Sequence, residues 1–192
     1  MRIVSGSARG VVLKAPRSRR VRPTQERVKE AVFNIIASRF PLDGARVLDL
    51  FAGGGGLGLE ALSRGAAQAV FVEPSPQAQT ALEHNLRVCR VEHTGRILRT
   101  TAARAIAILD REGTRFSGVL LDPPYGQGWV DKTLRRLARS RILEEDAWVA
   151  VEHDRTEHME KRYPPLVLTD SRGYGATCVS FYTRQPQDEE ST

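Results

Sequence analysis

Cysteine is almost missing from this chain: Cys89 and Cys178 are the only two in 192 residues. Two thiols so far apart in sequence offer neither a disulfide framework nor a metal quartet, and they suit a reducing cytoplasm. Both read as small core residues rather than reactive groups. Histidine supplies no metal set, because His84, His93, His153 and His158 show no ligand spacing and read as surface or packing residues. No stretch approaches the roughly 20 apolar residues of a membrane span. No apolar segment follows the first charges, so no secretory signal is expected. There is no internal repeat, and the one low-complexity stretch is the polar tail Gln185–Thr192. Acid is scarce at one end. Residues 1–29 hold nine bases (Arg2, Arg9, Lys14, Arg17, Arg19, Arg20, Arg22, Arg27 and Lys29) against Glu26 alone, a net of +8. The whole chain carries +6, so residues 30–192 sum to −2.

A basic arm on a near-neutral body is the electrostatic footprint of a polyanion-binding protein. Ile3, Val4, Val11, Val12 and Leu13 interleave with the bases, and Gly6 and Gly10 sit among them. That pattern predicts a small hairpin presenting arginines rather than a bare tail. Beyond it, Val28, Ala31, Val32, Ile35 and Ile36 recur at helical spacing, with Thr24 as N-cap and Pro41 past the end. A regular alternation comes next. Strands are predicted at Arg46–Phe51, Ala69–Glu73, Arg96–Arg99, Gly118–Leu121 and Ala147–Val151. Helices are predicted at Gly56–Arg64, Pro76–Cys89, Ala102–Leu109 and Val130–Ala138. Then the helices stop, and Leu166–Thr169 and Thr177–Tyr182 read as an antiparallel pair around Ser171–Gly175. The expectation is an α/β fold of Rossmann type: a mostly parallel seven-stranded sheet, an antiparallel edge strand and helices on both faces. Residues 1–41 form a basic hairpin-and-helix extension, 42–184 the main domain and 185–192 a tail.

Asp122-Pro123-Pro124-Tyr125 directly follows the apolar run Gly118–Leu121. The prolines stop the strand and stiffen the loop after it, since each fixes its own φ and Pro124 drives Pro123 towards an extended conformation. The loop is rigid, with a carboxylate at its start and an aromatic face at its end. It suits a planar ring bearing an –NH2 group: acceptors for the amine, a surface for the ring.

Gly53, Gly55 and Gly58 in the run Asp49–Gly58 satisfy the Gly-x-Gly-x-x-Gly spacing of a nucleotide-binding turn. Glu73 ends the next strand 20 residues on, where an acid accepts ribose hydroxyls. Strand, loop, helix and acid together point to an adenosine-type cofactor. Asp49 decides between two such cofactors. It would repel the pyrophosphate of NAD at the helix N-terminus but attract an ammonium and a sulfonium, which favours S-adenosylmethionine.

At this point the residues resemble a family. The Asp-Pro-Pro-Tyr string is similar to that of amino-methylating methyltransferases that use S-adenosylmethionine. Arg22-Pro23-Thr24 with Arg27, Glu30 and Phe33-Asn34 resembles the N-terminal signature of the bacterial 16S rRNA guanine-N2 methyltransferases, the RsmD family. So do Asp49–Gly53, Leu57–Ala66 and Tyr174-Gly175, and the likeness runs from Arg2 to Tyr182. It implies a methyl transfer in which Asp122 and the Pro123 carbonyl accept hydrogen bonds from guanine N2, with Pro124 holding the loop and Tyr125 stacking on the base. It also implies cofactor contacts from Asp49, Phe51, Ala52, Gly53, Gly55, Glu73, Pro74, Thr101 and Ala102. Arg2, Arg9, Lys14, Arg17, Arg19, Arg20 and Arg22 are the implied RNA contacts. The implied partner is 16S rRNA or a partly assembled small ribosomal subunit, met by a monomeric, cytoplasmic, metal-free enzyme. Two departures stand out: Gly54 and Gly56 replace the usual Ser and Ala, and Thr101 replaces an acid or amide expected near the adenine amine.

Rival readings are an adenine-N6 methyltransferase, which shares the Asp-Pro-Pro-Tyr chemistry, and a non-catalytic RNA-binding assembly factor. A dehydrogenase leaves the Pro-Pro-Tyr loop and the arginines unexplained. Trp129 and Trp148 read as core or rim aromatics, with Trp129 close enough to Tyr125 to border a base pocket. Glu152-His153, at a strand end, has two readings: a catalytic pair, or support for the site from a strand terminus above the sheet.

Overall fold

Two hydrophobic patterns alternate along the chain, and the fold gives each its own layer. The computed structural model describes residues 1–16 and 23–185. In chain order the elements are α1 (Pro23–Arg39), β1 (Arg46–Asp49), α2 (Gly56–Ser63), β2 (Gln68–Val72), α3 (Pro76–Cys89), β3 (Gly95–Leu98), α4 (Ala102–Arg111), β4 (Phe116–Leu121), α5 (Trp129–Ala138), β5 (Leu143–Asp154), β6 (Arg162–Tyr163), β7 (Leu166–Tyr174) and β8 (Thr177–Arg184). They build one sheet of order β3-β2-β1-β4-β5-β8-β7-β6. β3 to β5 run parallel, and β8, β7 and β6 continue it antiparallel. Apart from the edge strand β3, the parallel strands are largely buried on both sides, so they read as nearly unbroken apolar runs.

Each face has its own core. Val47, Phe71, Leu120 and Trp148 project to the face covered by α1, α2 and α3 and by the hairpin residues Ile3 and Leu13. Leu48, Val70, Val119 and Val149 project to the other, where Ala105, Ile106 and Leu109 of α4 and Val130, Leu134 and Leu137 of α5 lie. The period-2 alternation along the strands produces this division.

The sequence reading needs correction in several places. The sheet has eight strands, not seven: β6 joins the expected antiparallel pair at that end. The two-residue β6 is too short to leave a periodicity. β1 stops at Asp49, and β5 starts at Leu143 instead of Ala147. The acidic run Glu144–Asp146 disguises that start, because it lies before β5 enters the core. α1 already includes Pro23, so Thr24 is not a flanking cap; a proline is well tolerated in a first turn, where its missing N–H costs nothing. Cys89 is buried as expected, but Cys178 is only partly covered. Among the described residues, no helix is long and apolar enough to cross a membrane.

Gly118 has a packing role. It pairs with Trp148 across β4 and β5, and a Cβ there would lie 2.2 Å from the indole. Trp148 in turn stacks on Phe40 at 5.6 Å between ring centroids. Replacing Gly118 by Ala is expected to overpack this site by about 1–3 kcal/mol. Thermal denaturation should then show a midpoint lower by about 2–4 °C per kcal/mol lost.

Candidate active site

The strand order reverses between β2 and β4 on either side of β1, and a ligand crevice opens above the carboxyl ends of strands at such a switch point. Asp49 ends β1 and is in register with Leu120 of β4, two residues before Asp122. The fold thus brings the glycine loop and the Asp-Pro-Pro-Tyr loop to one cleft. Asp49, Asp122 and Glu152 line it from the strand ends, and Phe51, Ala52, Gly54, Gly56 and Leu57 line it from the glycine loop. Lys29 of α1 and Ala15-Pro16 after the hairpin complete the wall.

The glycine loop turns through two left-handed residues, Gly53 at φ 55° and Gly55 at φ 83°, a conformation that side chains resist. α2 opens immediately afterwards with no side-chain cap. Asp49 fills that role from the strand: its Oδ2 accepts the Gly58 N–H at 3.0 Å. A carboxylate therefore already occupies the helix N-terminus, where a dinucleotide would place its pyrophosphate. Glu73 braces the loop from the other side, accepting Gly53 N–H through Oε2 and Ser75 N–H through Oε1, both at 2.8 Å. Each oxygen keeps a second lone pair for a ribose hydroxyl.

Asp49 is fully buried, and its Oδ1 has no hydrogen-bond partner. Burial is the main force that drives its carboxyl up to about 7, with the negative charges of Asp122 and Glu73 adding to it. A buried acid with one satisfied oxygen and one orphaned oxygen facing a cleft calls for a cation. S-adenosylmethionine carries an ammonium and a sulfonium, so the residues present fit it: Asp49 would hold its charged end and Glu73 its ribose.

Across the cleft, Asp122 is half-buried, Pro123 is buried, and Pro124 and Tyr125 are exposed. Tyr125 keeps 43% of its surface open. Its hydroxyl donates to Glu152 Oε1 at 3.1 Å, which fixes the ring. Desolvation first, then Glu152 and Asp122, push the phenol well above its ordinary value, so it stays a neutral donor. Glu152 thus lines the cleft and holds the Tyr125 hydroxyl. Its neighbour His153 faces the interior instead, with Nε2 2.9 Å from Ser180 Oγ and Nδ1 2.8 Å from the Asp154 carbonyl.

Other expected residues lie apart from the cleft wall. Pro74 and Thr101 are exposed, Thr101 as the residue preceding α4 with no side-chain capping bond, and Ala102 is partly covered. Gly53 and Gly55 shape the turn while Gly54 and Gly56 face the cleft. In the arm, Arg2 and Val12 form a β-bridge, and Ile3 N–H donates to the Val11 carbonyl, so the hairpin is present. Arg2, Arg9 and Lys14 are exposed on it. Arg17, Arg19, Arg20 and Arg22 lie outside the described residues.

Sequence reasoning missed how the hairpin is anchored. Lys29, one of the nine bases of residues 1–29, is 2% exposed. Its Nζ sits 2.9 Å from Glu60 Oε2 and donates to the Arg2 carbonyl. Glu60, also buried, accepts Val4 and Ser5 N–H groups and pairs with Arg64 at 2.9 Å. Burial works upward on its carboxyl, but Lys29, the Val4 amide and Arg64 together hold it below its usual value. Only the i, i+4 spacing of Glu60 and Arg64 signalled any of this in the sequence.

Asn85 is a second anchor. Its Oδ1 accepts Lys14 N–H at 2.8 Å, and its Nδ2 donates to the carbonyls of Lys14 and Gly54 at 2.9 and 2.7 Å. One buried amide thus joins the arm to the glycine loop. Asn85→Ala strands those three backbone groups and should cost about 2–4 kcal/mol. Denaturant melts should register that loss, and calorimetry should show weaker binding of S-adenosylhomocysteine.

The match to known proteins covers the whole molecule. Residues 1–183 fit the model of the family described as "Conserved hypothetical protein 95". YlbH of Bacillus subtilis (strain 168) is 39% identical over 185 residues, 96% of this chain and all of that protein. "Ribosomal RNA small subunit methyltransferase D" of Escherichia coli (strain K12) is 32% identical over 98% of this chain and 92% of its own length. The solved structure of yhhF from Escherichia coli superposes with a TM-score of 0.85 at 32% identity, covering 97% of this chain and 99% of that one. Agreement of this extent, in sequence and in backbone, leaves one conclusion: the chain belongs to the conserved hypothetical protein 95 family, the RsmD family of methyltransferases.

Proposed function

We propose that this protein methylates the exocyclic N2 amine of a guanine in 16S rRNA, with S-adenosylmethionine as donor. The observation that carries the reading is the meeting of two carboxylates in one cleft: Asp49, with an orphaned oxygen suited to a cation, and Asp122, which opens a Pro-Pro-Tyr loop suited to an amine on a flat ring. The name of the Escherichia coli relative supports the ribosomal small subunit as target.

The cofactor supplies a methyl group made electrophilic by its sulfonium. The protein's task is the nucleophile. An exocyclic amine is weak because its lone pair is delocalised into the ring. Hydrogen bonds from N2–H to Asp122 and the Pro123 carbonyl localise that pair and stabilise the positive charge that grows on nitrogen. Tyr125, held by Glu152, stacks on the base and fixes its angle. Asp122 or water takes the proton that nitrogen releases. The guanine has to be unpaired or extruded to enter, which favours a loop or bulge of folded RNA, either bare or in a partly assembled subunit. In this reading residues 1–41 grip phosphates while 42–184 select and methylate the base.

The test is to map methylated nucleosides by mass spectrometry after incubating the protein with undermethylated small-subunit RNA and labelled cofactor. Label in N2-methylguanosine supports the assignment. Label in N6-methyladenosine replaces it with the adenine reading, and failure to bind the cofactor replaces it with the non-catalytic one.

A further inference from the structure

The hairpin supplies positive charge on one face of the sheet; α5 supplies it on the other. Residues 129–141 hold five bases against Asp131 alone, while the rest of 30–192 sums to −6. The near-neutral body therefore hides a concentrated basic segment. Lys132, Arg135, Arg136 and Arg139 are spaced as one stripe of the helix, opposite the buried Val130, Thr133, Leu134 and Leu137. Arg135 is answered by Asp131 at 2.8 Å and Glu160 at 3.9 Å. Among the described residues no ion pair engages Lys132, Arg136 or Arg139.

The stripe starts beside the Asp122–Tyr125 loop. Three residues separate Tyr125 from Trp129, the first residue of α5; Tyr125, Gly126, Gly128, Asp131 and Lys132 line one hollow there, and the helix runs on for about 15 Å. Trp129 is 39% exposed, and only four large apolar side chains of the described residues stay that open. Two of them are aromatic, Trp129 and Tyr125, and both belong to this corner. Trp129 is also held in place: its Nε1–H donates to Gln127 Oε1 at 2.9 Å, and Lys132 Nζ lies 5.3 Å from the ring centroid. An ordered, solvent-facing indole followed by a row of cations matches the combination that holds a nucleic-acid strand, one base stacked and successive phosphates neutralised.

We propose that α5 is a second RNA-binding surface. Trp129 stacks on a nucleotide flanking the target, and Lys132, Arg136 and Arg139 bind the phosphates beyond it. The RNA is then held from both faces of the sheet, by the hairpin on one side and α5 on the other, with the target base over the strand ends between them. This proposal rests on the reading of the protein as an RNA methyltransferase.

The test uses the full chain and a small-subunit RNA fragment containing the methylated site. Arg136→Ala/Arg139→Ala should weaken binding by about tenfold or more and lower the slope of log affinity against log salt by about 2. Its affinity for S-adenosylhomocysteine should not change. Because Trp148 is buried, the change in tryptophan emission when RNA is added should come from Trp129 and vanish in Trp129→Phe. A double variant with wild-type RNA affinity and salt slope overturns the surface, whatever the enzyme methylates. Conversely, an α5-dependent salt slope with label in a different nucleoside keeps the surface and overturns the guanine assignment. A wild-type chain that binds no RNA overturns both.

Discussion

Asp122→Ala is expected to slow methyl transfer by about 10²–10³-fold while leaving the protein folded and able to bind cofactor. Asp122 sits at the end of β4 in a loop whose backbone is set by Pro123 and Pro124, so truncating its side chain does not release the loop. Nor does it open the core, since Asp122 is only half-buried at the cleft. What disappears is the acceptor that favours positive charge on the reacting nitrogen. Losing one preorganised group of this kind costs about 10²–10³-fold in turnover. Tritium transfer to undermethylated RNA measures the loss, and unchanged cofactor affinity by calorimetry marks it as chemical. A variant that retains wild-type turnover would remove Asp122 from the reaction.

Asp49→Asn should separate binding from stability, with opposite signs. The amide oxygen can still accept the Gly58 N–H, but the negative charge is gone. Affinity for S-adenosylmethionine should fall by about 10–100-fold, the worth of a charge-assisted contact. In the wild type, affinity should decline as pH falls below about 7, because protonation of Asp49 removes the counter-charge. Stability of the cofactor-free protein moves the other way. Asp49 binds its proton more tightly folded than unfolded, so its contribution is complete below about 4 and is lost as pH rises towards 7. An amide side chain lacks that dependence, so the variant should gain on the wild type by about 2–4 kcal/mol between pH 4 and 8. Urea unfolding at the two pH values measures the gain. Parallel curves would mean that Asp49 is already ionised in the folded protein.

Much of this architecture was readable because its causes are local. The apolar runs Arg46–Phe51 and Gly118–Leu121 gave the central strands, although β1 stops at Asp49, and Pro76 and Cys89 mark the ends of α3 in sequence and structure alike. Glycine spacing and a double proline each constrain their own backbone, so both loops announced themselves. The remainder depends on distant partners. Lys29 counts as a surface base until Glu60 folds against it, 31 positions away in the chain. Asn85 looks like an ordinary helix residue until its amide meets Lys14 and Gly54. Net charge also misled: a sum of −2 over 30–192 conceals the cations of α5 behind acids placed elsewhere. Orientation of Thr101 and Pro74 relative to the cleft is set by how β2 and β3 enter the sheet, and no local pattern reports that.

The way Glu60 receives the hairpin limits how the arm could be exchanged between enzymes. A graft that transplanted residues 1–14 alone would bring a foreign backbone to a buried carboxylate waiting for the Val4 and Ser5 amides, and to Ser63, whose hydroxyl accepts Ala8 N–H and donates to the Ser5 carbonyl. The recipient would need its own Glu60, Ser63 and Asn85 equivalents before the new segment could seat. The arm and α2 are therefore coupled: any segment that replaces residues 1–14 has to match the buried carboxylate and hydroxyl of the helix that follows the glycine loop.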